Sequence, residues 1–473
     1  MGKFDGMSAK EVSERLFYKK KSVFEKMDDS ELEAALEYAK GYSVFLDNAK
    51  TERETVSYSV DMLKAYGFKP YTLGMQVYQG DRFYYDNRGK NLIAFVIGSE
   101  GVENGFKILS AHIDSPRLDL KQHPIYEDTG FAYAKTHYYG GIRKYQWASI
   151  RLALHGVVIL KDGTSVNVSI GEEEGDPVFC ITDLLPHLAQ EQNTKPLGTA
   201  FSGEGLNAIL CASPFTEDGG VAEVDDKVKL NLLSMLNDMY GITEEDFISA
   251  ELCFVPAGKS VDVGLDRVLM GGYGHDDRVC AYPELTAMLE NLDGKNTIMC
   301  ILADKEEVGS DGVTGMQCRL MTDIIDSVSR SLGSDPAAVR TVSECLSADV
   351  AAAYDPLYPE VFEKRNSAVV SSGVALAKYT GSRGKSSTND CNAEFVGKVR
   401  AIFDEAGVVW QTAELGKVDV GGGGTVAKYI SRFNIDTVDI GVAVLSMHAP
   451  FEVISKYDLY NAHKAFSAFC KNS

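Results

Sequence analysis

Thr297-Ile298-Met299-Cys300-Ile301-Leu302-Ala303-Asp304-Lys305-Glu306-Glu307-Val308-Gly309-Ser310 joins an unbroken apolar run to an acidic turn. So short a run, closed by turn residues, reads as a strand buried on both faces. Two adjacent glutamates at its end repel each other unless cations or protons offset their charge. The flanking text is helical over 279–292 and 322–332, and further strands lead to 435–445 and a final helix over 459–470. This alternation predicts an α/β fold: a mixed sheet covered by helices on both faces, three αβα layers in all.

Upstream, the first 66 residues carry helical periodicity. Thr51-x-x-Glu54 is a capping box for a helix that runs to Tyr66 and stops at Gly67. Segments 82–86 and 91–97 flank Asn87-Arg88-Gly89-Lys90 as a hairpin, and 106–113, bounded by Gly105 and Pro116, reads as a central strand. Over 122–258 the texture changes to short β-rich pieces, with a hairpin about Asp162-Gly163 and a helical stretch near 183–191. The expected layout is an inserted domain at 122–258 splitting a discontinuous domain at 1–121 and 259–473. Within the insertion, Glu172-Glu173-Glu174 reads as a solvated loop.

A length of 473 residues excludes a small stapled scaffold, and 45% hydrophobic with 24% charged residues is the composition of a globular protein with a sizeable core. Against 47 Lys and Arg stand 68 Asp and Glu, a net charge of −21 that repels nucleic-acid phosphates and anionic lipid. Neither nucleic acid nor membrane is an expected partner. Nine cysteines without a C-x-x-C pair read as reduced, mostly buried thiols in a cytoplasmic protein. Met1-Gly2-Lys3-Phe4-Asp5-Gly6 shows no export or lipidation signal, and no apolar run is long enough to span a bilayer.

Five short patches pair metal-capable side chains with strand ends. In Ala111-His112-Ile113-Asp114-Ser115-Pro116, His112 and Asp114 project to one side, so that Asp114 can orient a ligating His112. In Gly274-His275-Asp276-Asp277-Arg278 an aspartate stands where a strand turns into a helix; its two oxygens can bridge two cations, and His275 reads as structural. At Glu306-Glu307 the economical division is one glutamate on metal and the other free to take a proton. Leu346-Ser347-Ala348-Asp349-Val350 and Ser446-Met447-His448-Ala449-Pro450 add an aspartate and a histidine. Singly these are turn residues. Jointly His112, Asp276, Glu307, Asp349 and His448 supply two imidazoles and three carboxylates, a set suited to two borderline cations such as Zn²⁺, with Mn²⁺ or Co²⁺ sharing the same ligands. If Asp276 bridges, each metal receives one histidine, one further carboxylate and the shared aspartate.

These residues, in this order and across essentially the whole chain, resemble the aspartyl aminopeptidase family of dinuclear zinc exopeptidases, in its bacterial-type branch; Leu152-Ala153-Leu154-His155-Gly156-Val157 adds to the match. The resemblance implies His112, Asp276, Glu307, Asp349 and His448 as ligands with Asp276 bridging, Glu306 as general base and Asp114 as the residue orienting His112. It implies a zinc-exopeptidase-like catalytic domain split by a dimerisation domain, with dimers assembled into a tetrahedral dodecamer. A histidine of the neighbouring subunit would complete the site; His187 is one candidate here and Glu191 occupies the other alignment. A preference for acidic N-terminal residues would need a cation, and Arg383 and Lys385 of Gly381-Ser382-Arg383-Gly384-Lys385-Ser386 lie in the corresponding region. Gly421-Gly422-Gly423-Gly424-Thr425 offers backbone N–H groups to a substrate or is a flexible turn, and lacks the lysine of a phosphate loop.

The leading expectation is therefore a cytoplasmic metalloaminopeptidase that removes the N-terminal residue of peptides. A dinuclear deacylase or carboxypeptidase-like amidohydrolase is the second reading, and a non-catalytic self-assembling metal-binding shell the third. The third has no use for a free carboxylate beside the ligands.

Overall fold

The computed structural model describes every residue except 1, 2, 5, 218, 219 and 473, so the N-terminal hexapeptide read for targeting signals lies partly outside the described residues. The chain builds a nine-stranded mixed sheet in the order Lys69–Pro70, Arg82–Asn87, Asn91–Val96, Thr297–Ala303, Phe106–His112, Glu344–Ala348, Asp436–Gly441, Val374–Ala377, Trp410–Thr412. Four neighbours, 297–303, 106–112, 344–348 and 436–441, run parallel.

The unbroken apolar runs of these strands follow from cover on both faces. Leu92, Ala94, Ile298, Cys300, Leu302, Leu109 and Leu346 point into one core with helices Asp29–Asn48, His275–Glu290 and Lys456–Lys471. Their alternates Ile93, Phe95, Met299, Ile301 and Ile108 point into another with helix Leu320–Ser331. Three layers result. The chain leaves strand 106–112 for 297–303 on one side and reaches 344–348 on the other, which opens a crevice at the carboxyl ends of these strands.

Local signals hold where they are strong. Helix Glu52–Ala65 starts from the Thr51 and Glu54 capping box and gives way at Gly67, whose φ is +82°. Strands 82–87 and 91–96 pair antiparallel about the turn between them.

Between the strands that frame the crevice, the chain forms a second sheet of six antiparallel strands, Ser165–Ile170, Leu152–Ile159, Ala250–Pro256, Arg117–Asp128, Phe131–Tyr139 and Ala208–Cys211. Helix Lys227–Tyr240 covers it through Val228, Leu232 and Leu236. Two expectations fail here. The stretch near 183–191 is irregular and holds only the start of a one-turn helix, Gln190–Asn193. Pro186 lacks the N–H a helix would use there, and Leu184, Leu185 and Leu188 stand exposed.

Nor is the Glu172-Glu173-Glu174 run uniformly solvated. Glu172 is drawn in to accept from Lys50 Nζ at 2.6 Å, and lies 2.9 Å from His155 Nε2. Glu54 lies 2.7 Å from His155 Nδ1 on the other side. Burial opposes a charged imidazole, but the bonds to Glu172 and Glu54 outweigh it and push His155 from 6.5 up to about 9. A group raised on folding contributes stability that is complete below its unfolded pKa of about 6.5 and is lost as pH climbs through about 9, here on the order of 3 kcal/mol. His155→Gln should therefore lower Tm most at pH 6 and match the wild type by pH 10. A Tm gap that stays constant with pH would contradict the charge-based account.

The nine cysteines are free, six of them buried.

Candidate metal centre

The crevice gathers short loops from separate strand ends. His112 closes strand 106–112, and Asp349 directly follows strand 344–348, its N–H bonded to the Ile440 carbonyl at 3.0 Å. After strand 297–303 the backbone turns left-handed at Lys305, φ +69°, and again at Gly309, φ +101°. The 3₁₀ turn between them, Glu306–Val308, sets both glutamates at the crevice. Asp276 sits in a non-helical opening turn of helix 275–290, where the Asp276–Asp277 peptide is cis. His448 follows strand Ala443–Leu445 in a left-handed conformation, φ +64°.

One Asp276 oxygen lies 3.0 Å from His112 Nε2 and the other 3.2 Å from His448 Nε2. Asp349 Oδ1 is 3.9 Å from His112 Nε2, and Glu307 Oε1 is 3.5 Å from His448 Nε2. Ligand atoms of His112, Asp276 and Glu307 fall within 4.8 Å of one another, as do those of His112, Glu306 and Asp349. The structure thus brings all five residues of the strand-end patches together, with Glu306 beside them.

Electrostatics favour cations here. Burial, reinforced by neighbouring carboxylates, pushes the Glu307 and Asp349 carboxyls well up, and burial also raises Glu306. For Asp276 burial is outweighed by the bonds to His112 and His448, which hold its carboxyl far below the usual range. Against burial, Asp114 and then Asp276 push His112 well up, and Asp276 chiefly pushes His448 to about 10. Protonated imidazoles are the cations this cluster has to hand, and no lysine or arginine lines the cavity among the described residues. Glu307 Oε1 is buried with no hydrogen-bond partner. Nitrogen and carboxylate donors converging on unneutralised charge fit divalent ions of the zinc type.

Asp114 Oδ1 stands 3.4 Å from His112 Nδ1 and accepts the Glu306 N–H at 3.1 Å, while its Oδ2 accepts the Glu307 N–H at 3.2 Å. One carboxylate therefore faces an imidazole and ties down the glutamate turn. Glu452, which the motifs did not mark, accepts N–H bonds from His448 at 2.7 Å and Asp276 at 3.1 Å, and burial pushes it up to about 8. Its signal in the chain is faint: a lone acid opening the buried strand Glu452–Ser455. His275 is fully buried, 2.8 Å from the Tyr42 hydroxyl, and burial lowers it to about 3. It is a core residue.

From the cluster a cavity of about 280 Å³ runs between alanines 351, 352, 375, 377 and 413 and the glycine run 422–424. Its lining also holds Glu414, which accepts from the Tyr379 hydroxyl at 2.6 Å, and Asp439, which accepts from Thr425 at 2.5 Å. Asp439 Oδ2 is buried and unpartnered, and burial pushes the carboxyl up to about 7. Arg383 and Lys385 lie outside this lining, on the exposed loop after strand Gly381–Ser382. Lys385 is held by Asp390 at 3.0 Å and stacks 3.7 Å over Tyr379. His187 is exposed in the irregular 183–191 stretch and does not line the cavity within one chain.

Residues 45–470 match the family described as Aminopeptidase I zinc metalloprotease (M18). A probable M18 family aminopeptidase 1 of Clostridium acetobutylicum is 48% identical over 460 residues, covering 96% of this chain and 98% of that protein. The crystal structure of an M18 family aminopeptidase from Thermotoga maritima superposes with a TM-score of 0.90 at 43% identity, over 97% of this chain and all of the other. Aminopeptidase I from C. acetobutylicum does so with a TM-score of 0.89 at 46% identity and the same coverage.

Proposed function

Because this chain belongs to the Aminopeptidase I zinc metalloprotease (M18) family and is a metal-dependent aminopeptidase, we propose that it holds two divalent ions and hydrolyses the first peptide bond of substrates with a free amino terminus. His112 and Asp349 would hold one ion and Glu307 and His448 the other, with Asp276 placed between the two imidazoles. The observation that carries this reading is the split of the Asp276 carboxylate, one oxygen to each imidazole. When bound, the ion pair supplies Lewis acidity, polarising the scissile carbonyl and acidifying water. Zinc is the metal the family description names, and manganese and cobalt accept the same donors.

Glu306 is the general base. Its side chain makes no hydrogen bond among the described residues, so it is free to take a proton from the attacking water and hand it to the leaving nitrogen as the C–N bond breaks. Asp114 keeps His112 oriented with its Nε2 toward Asp276 and Asp349.

The cavity carries the substrate's N-terminal side chain. The acidic preference that the family resemblance implies would meet two acids, Asp439 and Glu414, and no cation among the described lining residues. A substrate carboxylate gains no ion pair there, and it meets like charge wherever these acids are ionised, Asp439 only above about 7. We expect a neutral aminoacyl anilide such as that of leucine to be cleaved at least roughly tenfold faster than the aspartyl anilide, by kcat/KM. N-acetylated analogues should stay intact; their hydrolysis would favour the deacylase reading, and a faster aspartyl substrate would require a cation from outside this lining.

The segment 122–258 acts as the dimerisation domain in this reading, with dimers building a dodecamer, and His187 or Glu191 of one subunit completing the site of the next. Exposed Leu184, Leu185 and Leu188 support a covered surface there, and the fold relative S. cerevisiae mApe1 is described as a dodecamer. Nine free thiols support a cytoplasmic location, and no helix among the described residues is long and apolar enough to cross a membrane.

A further inference from the structure

Strand 131–139 of the six-stranded sheet ends at Tyr139, and the next two residues, Gly140 and Gly141, carry the chain past Glu307 and His448. Each of the three touches a different residue of the centre. The Tyr139 hydroxyl donates to Asp114 Oδ2 at 2.8 Å. Gly140 packs against Glu307: a Cβ placed on it would lie 3.1 Å from Glu307 Oε2. The Gly141 carbonyl accepts from His448 Nδ1 at 2.8 Å.

A metal-binding imidazole needs its second nitrogen protonated and bonded, so that the lone pair on the first points at the ion. Here the second nitrogen of each imidazole faces a residue that the end of strand 131–139 supplies or holds. For His448 the acceptor is the Gly141 carbonyl itself. For His112 the Nδ1 hydrogen bond goes to the Asp114 main-chain carbonyl at 3.0 Å, with the carboxylate Oδ1 of the same residue beside it at 3.4 Å; the other contacts of that carboxylate, to the Glu306 and Glu307 N–H groups, come from the large sheet's own loops. Tyr139 adds the donor from outside. Its ring cannot drift, because the Arg117 guanidinium stacks on it at 4.1 Å and is anchored by Glu52 at 2.9 Å and Asp119 at 2.8 Å. Gly140 has φ +72°, which favours glycine, and a Cβ on Gly141 would lie 3.3 Å from His448 Nδ1, close enough to press on the imidazole.

We infer that Tyr139 and Gly141 are positioning residues through which the inserted sheet sets the orientation of both metal-binding histidines, Tyr139 through Asp114 and Gly141 by direct contact. This rests on the ligand set proposed above. It makes the placement of the inserted sheet part of metal binding, so a shift of that sheet loosens both imidazoles together.

The test titrates the zinc-loaded full-length protein with a chelator and reads the affinity of each ion, alongside kcat and KM on a leucyl anilide. Tyr139→Phe keeps the ring and removes one hydroxyl; it should weaken one ion roughly tenfold and lower kcat by a similar factor with KM within twofold. Gly141→Ala should weaken the other ion. The reference variants His112→Ala and His448→Ala identify which ion is which. The inference predicts that Tyr139→Phe affects the ion lost in His112→Ala, and Gly141→Ala the ion lost in His448→Ala. If the histidine variants lose metal while Tyr139→Phe binds both ions like the wild type at unchanged kcat, the positioning role is wrong and the ligand set stands. If His112→Ala and His448→Ala keep both ions, the ligand set itself fails. Should Gly141→Ala not fold, Tyr139→Phe decides alone.

Discussion

Glu306→Gln should cut kcat by roughly 10²- to 10⁴-fold while leaving both ions in place. The amide keeps the shape of the side chain but cannot accept the proton of the attacking water. Glu306 is suited to the task on two counts: it lies within reach of His112 and Asp349, and its side chain has no hydrogen-bond partner among the described residues. It is not one of the residues facing an imidazole across Asp276, so its loss should spare metal content. Elemental analysis and steady-state kinetics on the same preparation separate the two effects. A metal-replete variant that turns over at the wild-type rate would remove Glu306 from the chemistry. A variant that loses an ion would instead make it a ligand, and the base would have to be sought among its neighbours.

How much of this is legible in the sequence depends on how local the signal is. Strands 91–96, 106–112 and 297–303 could be read because burial on both faces forces continuous apolar runs, and helix 52–65 because its capping box lies within four consecutive residues. The strand-end motifs could be read because chemistry concentrates where parallel strands open into loops. Residues that act across the tertiary structure left no such trace. Glu452 holds two backbone N–H groups that come from distant loops, and nothing beside it in the chain announces them. Tyr139 and the two glycines after it look like the end of an ordinary strand. Glu172 looked like one of three solvated acids, and only the fold brings His155 and Lys50 to it. For the basic pair Arg383 and Lys385 residue type alone does not fix placement: Lys385 shares Asp390 with Lys378 and stacks over Tyr379 of the cavity lining, while Arg383 stays in the exposed loop.

Asp276→Asn should produce the deeper loss of metal. In the wild type each imidazole faces its own oxygen of one anionic carboxylate, so a single charge serves both halves of the centre. The amide removes that charge and leaves only one oxygen. Its NH₂ group must then point at one imidazole Nε2, where a donor competes with a cation for the lone pair. Both ions should weaken by roughly 10- to 100-fold or more, whereas Asp349→Asn, which lies near His112 alone, should weaken one. The variant also takes away the anionic partner of His448, so that imidazole, held at about 10 against burial chiefly by Asp276, should titrate closer to its ordinary value. Chelator titration reads the metal loss and histidine NMR of the metal-free protein reads the pKa. If Asp276→Asn loses one ion and binds the second with wild-type affinity, the carboxylate belongs to a single ion. The two imidazoles would then mark separate sites that share a crevice without sharing a ligand.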